Sequence, residues 1–129
     1  MIQPGITNRM ETMVTKDNVA GALGSGTVDV FATPHMINLM EMTSCLAVDP
    51  YMEPGKTTVG SIVNVSHVSA TPIGMKVWCD STLIAVEGKK LTFEVKAYDE
   101  KGLIGEGTHE RFIIDVEKFM ARTLAKLEK

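Results

Sequence analysis

The sequence predicts an α+β fold in which one long helix lies against an antiparallel sheet, and three observations predict it. Residues 34–48 are apolar nearly all round at helical spacing. From residue 57 onwards the apolar period changes to two and persists through four long segments. Short turns containing Gly, Pro or Lys separate those segments, as in a meander of antiparallel strands.

Taken in order, residues 10–19 (METMVTKDNV) have weak strand character, and residues 20–27 (AGALGSGT) read as a turn-rich loop. VDVF then leads to Thr33, and Thr33 followed by Pro34 marks a helix start. The hydroxyl can accept from a free amide of the first turn, and proline at the first helical position loses no hydrogen bond. The helix is expected over residues 34–48, stopping before Pro50. Ile37, Glu41, Ser44, Cys45 and Val48 share one face, while Met36, Leu39, Met40 and Ala47 cover much of the rest. Such a helix belongs in the middle of a fold.

Strands are expected at 57–70, 75–87, 91–99 and 103–115. The third alternates cleanly, with Leu91, Phe93, Val95 and Ala97 inward. A short amphipathic helix closes the chain, with Val116, Phe119, Met120, Leu124 and Leu127 on one side. A sheet of this kind can bury a helix only by curling around it.

The 129 residues, 44% hydrophobic and 22% charged, fit a single globular domain over 1–129. A net charge of −3 without a long basic run argues against nucleic acid as a partner. No apolar run approaches a membrane span, and the start lacks a secretory pattern, so a cytoplasmic protein is expected. Cys45 and Cys79 stand far apart in no motif, which suits two free thiols in a reducing compartment.

Glu41 is the first candidate for chemistry. A carboxylate on so apolar a helix must be paired, hydrogen-bonded, neutral, or facing a cavity or a subunit boundary. Thr33 is the second. Thr before Pro is ordinarily a cap, yet a helix start also offers free amides to a carbonyl oxygen or a water. The two lie about 12 Å apart along the axis, so a substrate carbonyl, a water or a His must sit between them. His35, His67 and His109 are not spaced as metal ligands, and no phosphate loop or nucleophile elbow occurs, so neither metal nor cofactor is expected. Gly60, inside a strand, marks a bulge or a close approach to the backbone.

The stretches VFATPHMINLMEMTSC, EPGKTTVG, VSHVSATPIG, VEGKKL and IGEGTHERFIID together resemble the fluoroacetyl-CoA thioesterase family of hot dog proteins, from residue 30 to residue 119. The resemblance implies the hot dog fold, hydrolysis of an acyl-CoA thioester, and homodimers whose sheets join with each site near the subunit boundary. It implies catalytic roles for Thr33, Glu41 and His67, a backbone amide from Gly60, and a polar residue near the acyl pocket at Arg111. In the fluoroacetate-specific enzyme an aromatic-bearing lid precedes the helix; here DNVAGALGSGTVDV is shorter and has no aromatic residue, which points to a different small or medium acyl group. A non-catalytic acyl-CoA binding module and a hydratase or dehydratase of the same fold remain open at this stage.

Overall fold

The computed structural model describes residues 2–24 and 26–128. Among them, β1 (Thr7–Met13) and a one-turn helix α1 (Ala20–Leu23) precede the long helix α2 (Thr33–Val48). A 3₁₀ turn at Asp49–Tyr51 leads to β2 (Lys56–His67), β3 (Lys76–Glu87), β4 (Lys90–Asp99) and β5 (Gly102–Asp115). Helix α3 (Val116–Leu124) ends the chain with a short 3₁₀ segment, Ala125–Leu127. The strands form one antiparallel sheet in the order β1-β3-β4-β5-β2, so β1 and β2 are its edges.

Helix α2 lies on one face of this sheet. Met36, Leu39, Met40, Ala47 and Val48 pack with Val77, Leu83, Phe93, Val95 and Ile104 into the core. Thr43 and Ser44 are also buried there, and both hydroxyls donate to helix carbonyls one turn back. The helix is thus central, but it is not enclosed. Met42 and Leu46 stay over 40% exposed, because five strands cover one side of a cylinder and leave the other open.

Two glycines of β5 set how tightly the sheet curls. A Cβ at Gly105 would stand 2.5 Å from the Met36 sulfur and 2.7 Å from the Ser66 carbonyl oxygen. A Cβ at Gly107 would run into the Asn64 carbonyl. The stretch GEG therefore lets the first turn of α2 and the end of β2 approach the β5 backbone.

The observed elements differ from expectation at particular places. The first strand begins at Thr7 rather than at residue 10, and residues 20–23 are a turn of helix instead of loop. The strand expected over 57–70 ends at His67, and residues 68–74 form a loop. Helix α3 was expected to bury one side, yet Val116, Met120, Leu124 and Leu127 are 39% to 80% exposed, and Phe119 alone of that face is half-buried. No helix among the described residues is long and apolar enough to cross a membrane.

Candidate active site

Thr33 is not the cap of α2. Ala32 holds that position, with extended backbone and no side-chain capping bond. Thr33 is the first helical residue, and its hydroxyl lies 2.7 Å from His67 Nδ1 at the end of β2. The chain around it explains the meeting. Just before the helix, the Phe31 amide donates to the Thr71 carbonyl and Val30 bridges to Pro72. The buried Thr71 hydroxyl in turn donates to Asp99 Oδ2 at 2.8 Å. The helix start is thereby tied to the loop that follows β2, and the two polar side chains converge.

A Thr33 hydroxyl that donates to Nδ1 requires the tautomer with its proton on Nε2. That Nε2 is buried without a hydrogen-bond partner among the described residues. Burial lowers the His67 pKa below the ordinary imidazole value, a hydrogen bond with the Ser69 backbone opposing it. The ring is thus neutral at neutral pH and able to accept a proton at Nδ1. A groove of about 300 Å³ opens beside the pair, walled by Ala20, Val30, Phe31, Pro34 and Val68.

Glu41, Gly60 and Arg111 gather elsewhere. A Cβ at Gly60 would lie 2.9 Å from Glu41 Oε2 and 3.4 Å from Arg111 Nη1, so the carboxylate rests against the bare backbone. Glu41 and Arg111 are 3.8 Å apart, with the Glu41 side chain 40% exposed. Arg111 is held by Thr58, donating to its hydroxyl at 2.8 Å and to its carbonyl at 2.9 Å. Pairing between β2 and β5 slips by one residue at Ser61, so Gly60 sits at a bulge.

His109 belongs to this cluster and was not singled out from the sequence. It is fully buried, lies 2.7 Å from the Ile62 carbonyl through Nδ1, and 3.3 Å from Arg111 Nη1 through Nε2. A ring that donates at Nδ1 and accepts at Nε2 satisfies both contacts. Burial lowers its pKa, and the Arg111 charge acts in the same direction. A signal existed: His109 and Arg111 are two residues apart, hence on one face of a strand. Cys79 is no nucleophile, since burial pushes its thiol up to about 11.

The polar residues therefore fall into two groups: the Thr33–His67 pair at the end of β2, and the Gly60–Glu41–Arg111–His109 cluster nearer its beginning.

The family model described as fluoroacetyl-CoA-specific thioesterase matches residues 14–117. The fluoroacetyl-CoA thioesterase of Streptantibioticus cattleyicolor is 44% identical over 98 residues, covering 76% of this chain and 70% of its own. A point mutant of the fluoroacetyl-CoA-specific thioesterase FlK, solved in complex with fluoroacetate and CoA, superposes with a TM-score of 0.86 at 35% identity, over 92% of this chain and 99% of the other. A hot-dog-like protein from Thermanaerovibrio acidaminovorans shares the fold, with a TM-score of 0.91 at 19% identity over 99% of this chain and 95% of that one. The expected hot dog fold is borne out, and the chain belongs to the family of fluoroacetyl-CoA-specific thioesterases.

Proposed function

We propose that this protein is an acyl-CoA thioesterase, acting as a homodimer on a small or medium acyl group. The observation that carries the reading is the Thr33 hydroxyl against His67 Nδ1, at a helix start, with a buried Nε2 left unpartnered. Hydroxyl, imidazole and carboxylate in series form a proton-transfer unit for acyl transfer. Hydroxyl and imidazole meet; among the described residues no carboxylate reaches His67 Nε2.

A second copy supplies it. Strand β2 is a sheet edge twelve residues long, and Ile62 and Val63 on it are exposed. Two such edges pairing antiparallel about an axis near Val63 and Asn64 would set Gly60 of the partner subunit opposite His67. Glu41 of the partner subunit would come with it and could accept from His67 Nε2.

The chemistry then follows. The Gly60 amide of the partner subunit holds the thioester oxygen as negative charge develops on it. His67 takes the proton of the attacking oxygen, which is Thr33's own or that of a water it holds. The C–S bond breaks, and the proton passes to the departing thiolate. Net consumption of one water yields free acid and CoA thiol. Arg111, anchored by Thr58 and touching His109, fixes Glu41 beside Gly60. The groove beside Thr33 has mixed polar and apolar walls and lacks aromatic cover from residues 17–30, which supports an acyl group other than fluoroacetyl. The free thiols Cys45 and Cys79 suit a cytoplasmic location.

The test is thiol release across a series of acyl-CoA esters, from acetyl and fluoroacetyl to medium chains. Turnover is expected with a small or medium acyl group and without preference for fluoroacetyl. Binding of acyl-CoA with no thiol released would instead make the protein a binding module.

A further inference from the structure

Gly60 and His67 both face helix α2, and a regular strand cannot arrange that. A Cβ at Gly60 would lie 2.9 Å from Glu41 Oε2, and His67 Nδ1 lies 2.7 Å from the Thr33 hydroxyl. The two are seven positions apart on β2. Side chains an odd number of residues apart point to opposite faces of a pleated strand. The extra residue at the Ser61 bulge removes the conflict. Before it, Thr58 is buried against Arg111; after it, Val65 packs on the core. A slip of one residue flips every side chain beyond it, so without the bulge either Gly60 or His67 would turn to the outer face.

His109 of β5 grips this bulge from both sides. Its Cα stands opposite Val63, yet its Nδ1 lies 2.7 Å from the carbonyl of Ile62, the first residue paired beyond the bulge. Its Nε2 lies 3.3 Å from Nη1 of Arg111, the residue paired with Gly60 before the bulge. A Cβ at Gly60 would lie 3.2 Å from His109 Cε1. The Ser61 hydroxyl adds a longer bond, donating to the Glu110 carbonyl at 3.2 Å. The ring is fully buried and stacks on Phe93, with 6.2 Å between centroids. A buried imidazole is costly unless its nitrogens are satisfied, and here the two strand segments flanking Ser61 satisfy them. A side chain so enclosed acts through its neighbours and not on substrate.

We propose that His109 is a positioning residue for thioester hydrolysis: it clamps the Ser61 bulge and so holds Gly60 and His67 on the same face of β2. The clamp needs a neutral ring with its proton on Nδ1, donating to the Ile62 carbonyl and accepting from Arg111. The proposal rests on the thioesterase reading for the reaction it serves, whereas the clamp itself belongs to the free protein.

Long-range proton–nitrogen NMR spectra of the full chain, with isotope-labelled histidine and no substrate, read the tautomer directly. His109 is expected to carry its proton on Nδ1. A proton on Nε2, or on both nitrogens at neutral pH, would overturn the proposal. Kinetics then compare wild type with His109→Leu, which has no donor, and His109→Asn, whose side-chain amide stands near the place of Nδ1. Rates are taken per folded protein, below the melting temperature of each. In His109→Leu, kcat for thiol release from an acyl-CoA is expected to fall on the order of tenfold to a hundredfold with KM little changed, and His109→Asn should recover most of it. A lower melting temperature with wild-type kcat in His109→Leu, or no recovery in His109→Asn, would reduce the ring to core packing and overturn the clamp. If His109→Leu does not fold, the tautomer and His109→Asn decide. The His67 resonances in the same spectra separate the clamp from the thioesterase reading. Neither variant has a ring at position 109, so a difference between the two reports the hydrogen bond. If no thioester is hydrolysed, yet the His67 resonances move in His109→Leu and return in His109→Asn, the clamp stands and the reading falls. If thioesters are hydrolysed and neither kcat nor those resonances change in His109→Leu, the clamp falls and the reading stands.

Discussion

The Thr33 hydroxyl meets His67 Nδ1, and it does not cap its own helix. The difference matters because a cap contributes stability, whereas a hydroxyl aimed at an imidazole contributes reactivity. His67→Ala and Glu41→Gln are each expected to lower kcat by on the order of 10² or more, with little change in melting temperature. The double variant should lose little beyond the worse single one, because residues acting as a unit are not additive. A near-wild-type kcat in either single variant would remove that residue from the mechanism. The same measurement has a pH signature. His67 must be neutral to accept a proton, and burial lowers its pKa. kcat/KM should therefore stay flat through the ordinary imidazole range and fall only at lower pH, an acid limb that His67→Ala abolishes. Sequence motifs pointed to Thr33, Glu41, Gly60, His67 and Arg111. They did not show that these divide into two groups, since a spacing along the chain says nothing about which end of a strand a side chain occupies. His109 escaped because a strand His has no distinguishing neighbours until the register to β2 is known.

The glycines of β5 carry an argument at the scale of elements. Gly105 faces the first turn of α2 and Gly107 the backbone of β2. Neither has positive φ, so each is there for close approach and not for backbone freedom. Gly105→Ala must push Met36 aside or straighten the sheet, and is expected to cost about 1–3 kcal/mol. It should also lower kcat, because Met36 lies in the turn that presents Thr33. Urea melts and steady-state kinetics on one protein test both; full activity with lost stability would uncouple the glycine from the site. Long elements were legible here because periodicity accumulates over many residues, as in Leu91, Phe93, Val95 and Ala97. Helix α1 was not, since four residues are too few to display a period. The end of β2 was misjudged for another reason: residues 68–70 continue an apolar and polar alternation, and the tie from Phe31 to Thr71 turns the chain away all the same.

At the scale of the molecule, what stands out is what one chain leaves uncovered. The β2 edge, the outer side of α2 at Met42 and Leu46, and the apolar side of α3 are all open to solvent. Sequence reasoning foresaw a central helix but could not see that a five-stranded sheet encloses it from one side alone, because closure depends on curvature and not on pattern. In the proposed dimer, His67 of one chain works with Glu41 of the other. That division can be followed by mixing. His67→Ala and Glu41→Gln chains, each inactive alone, would on co-refolding pair at random. Half the dimers would be mixed, and each mixed dimer would hold one complete site, so about a quarter of wild-type activity should return. Activity no greater than that of the separate variants would place both residues in one protomer's site. The division along β2 then reaches into inheritance. Two alleles that each encode a dead enzyme would, expressed in one cell, complement each other, while two alleles damaged at the same end of the strand would not.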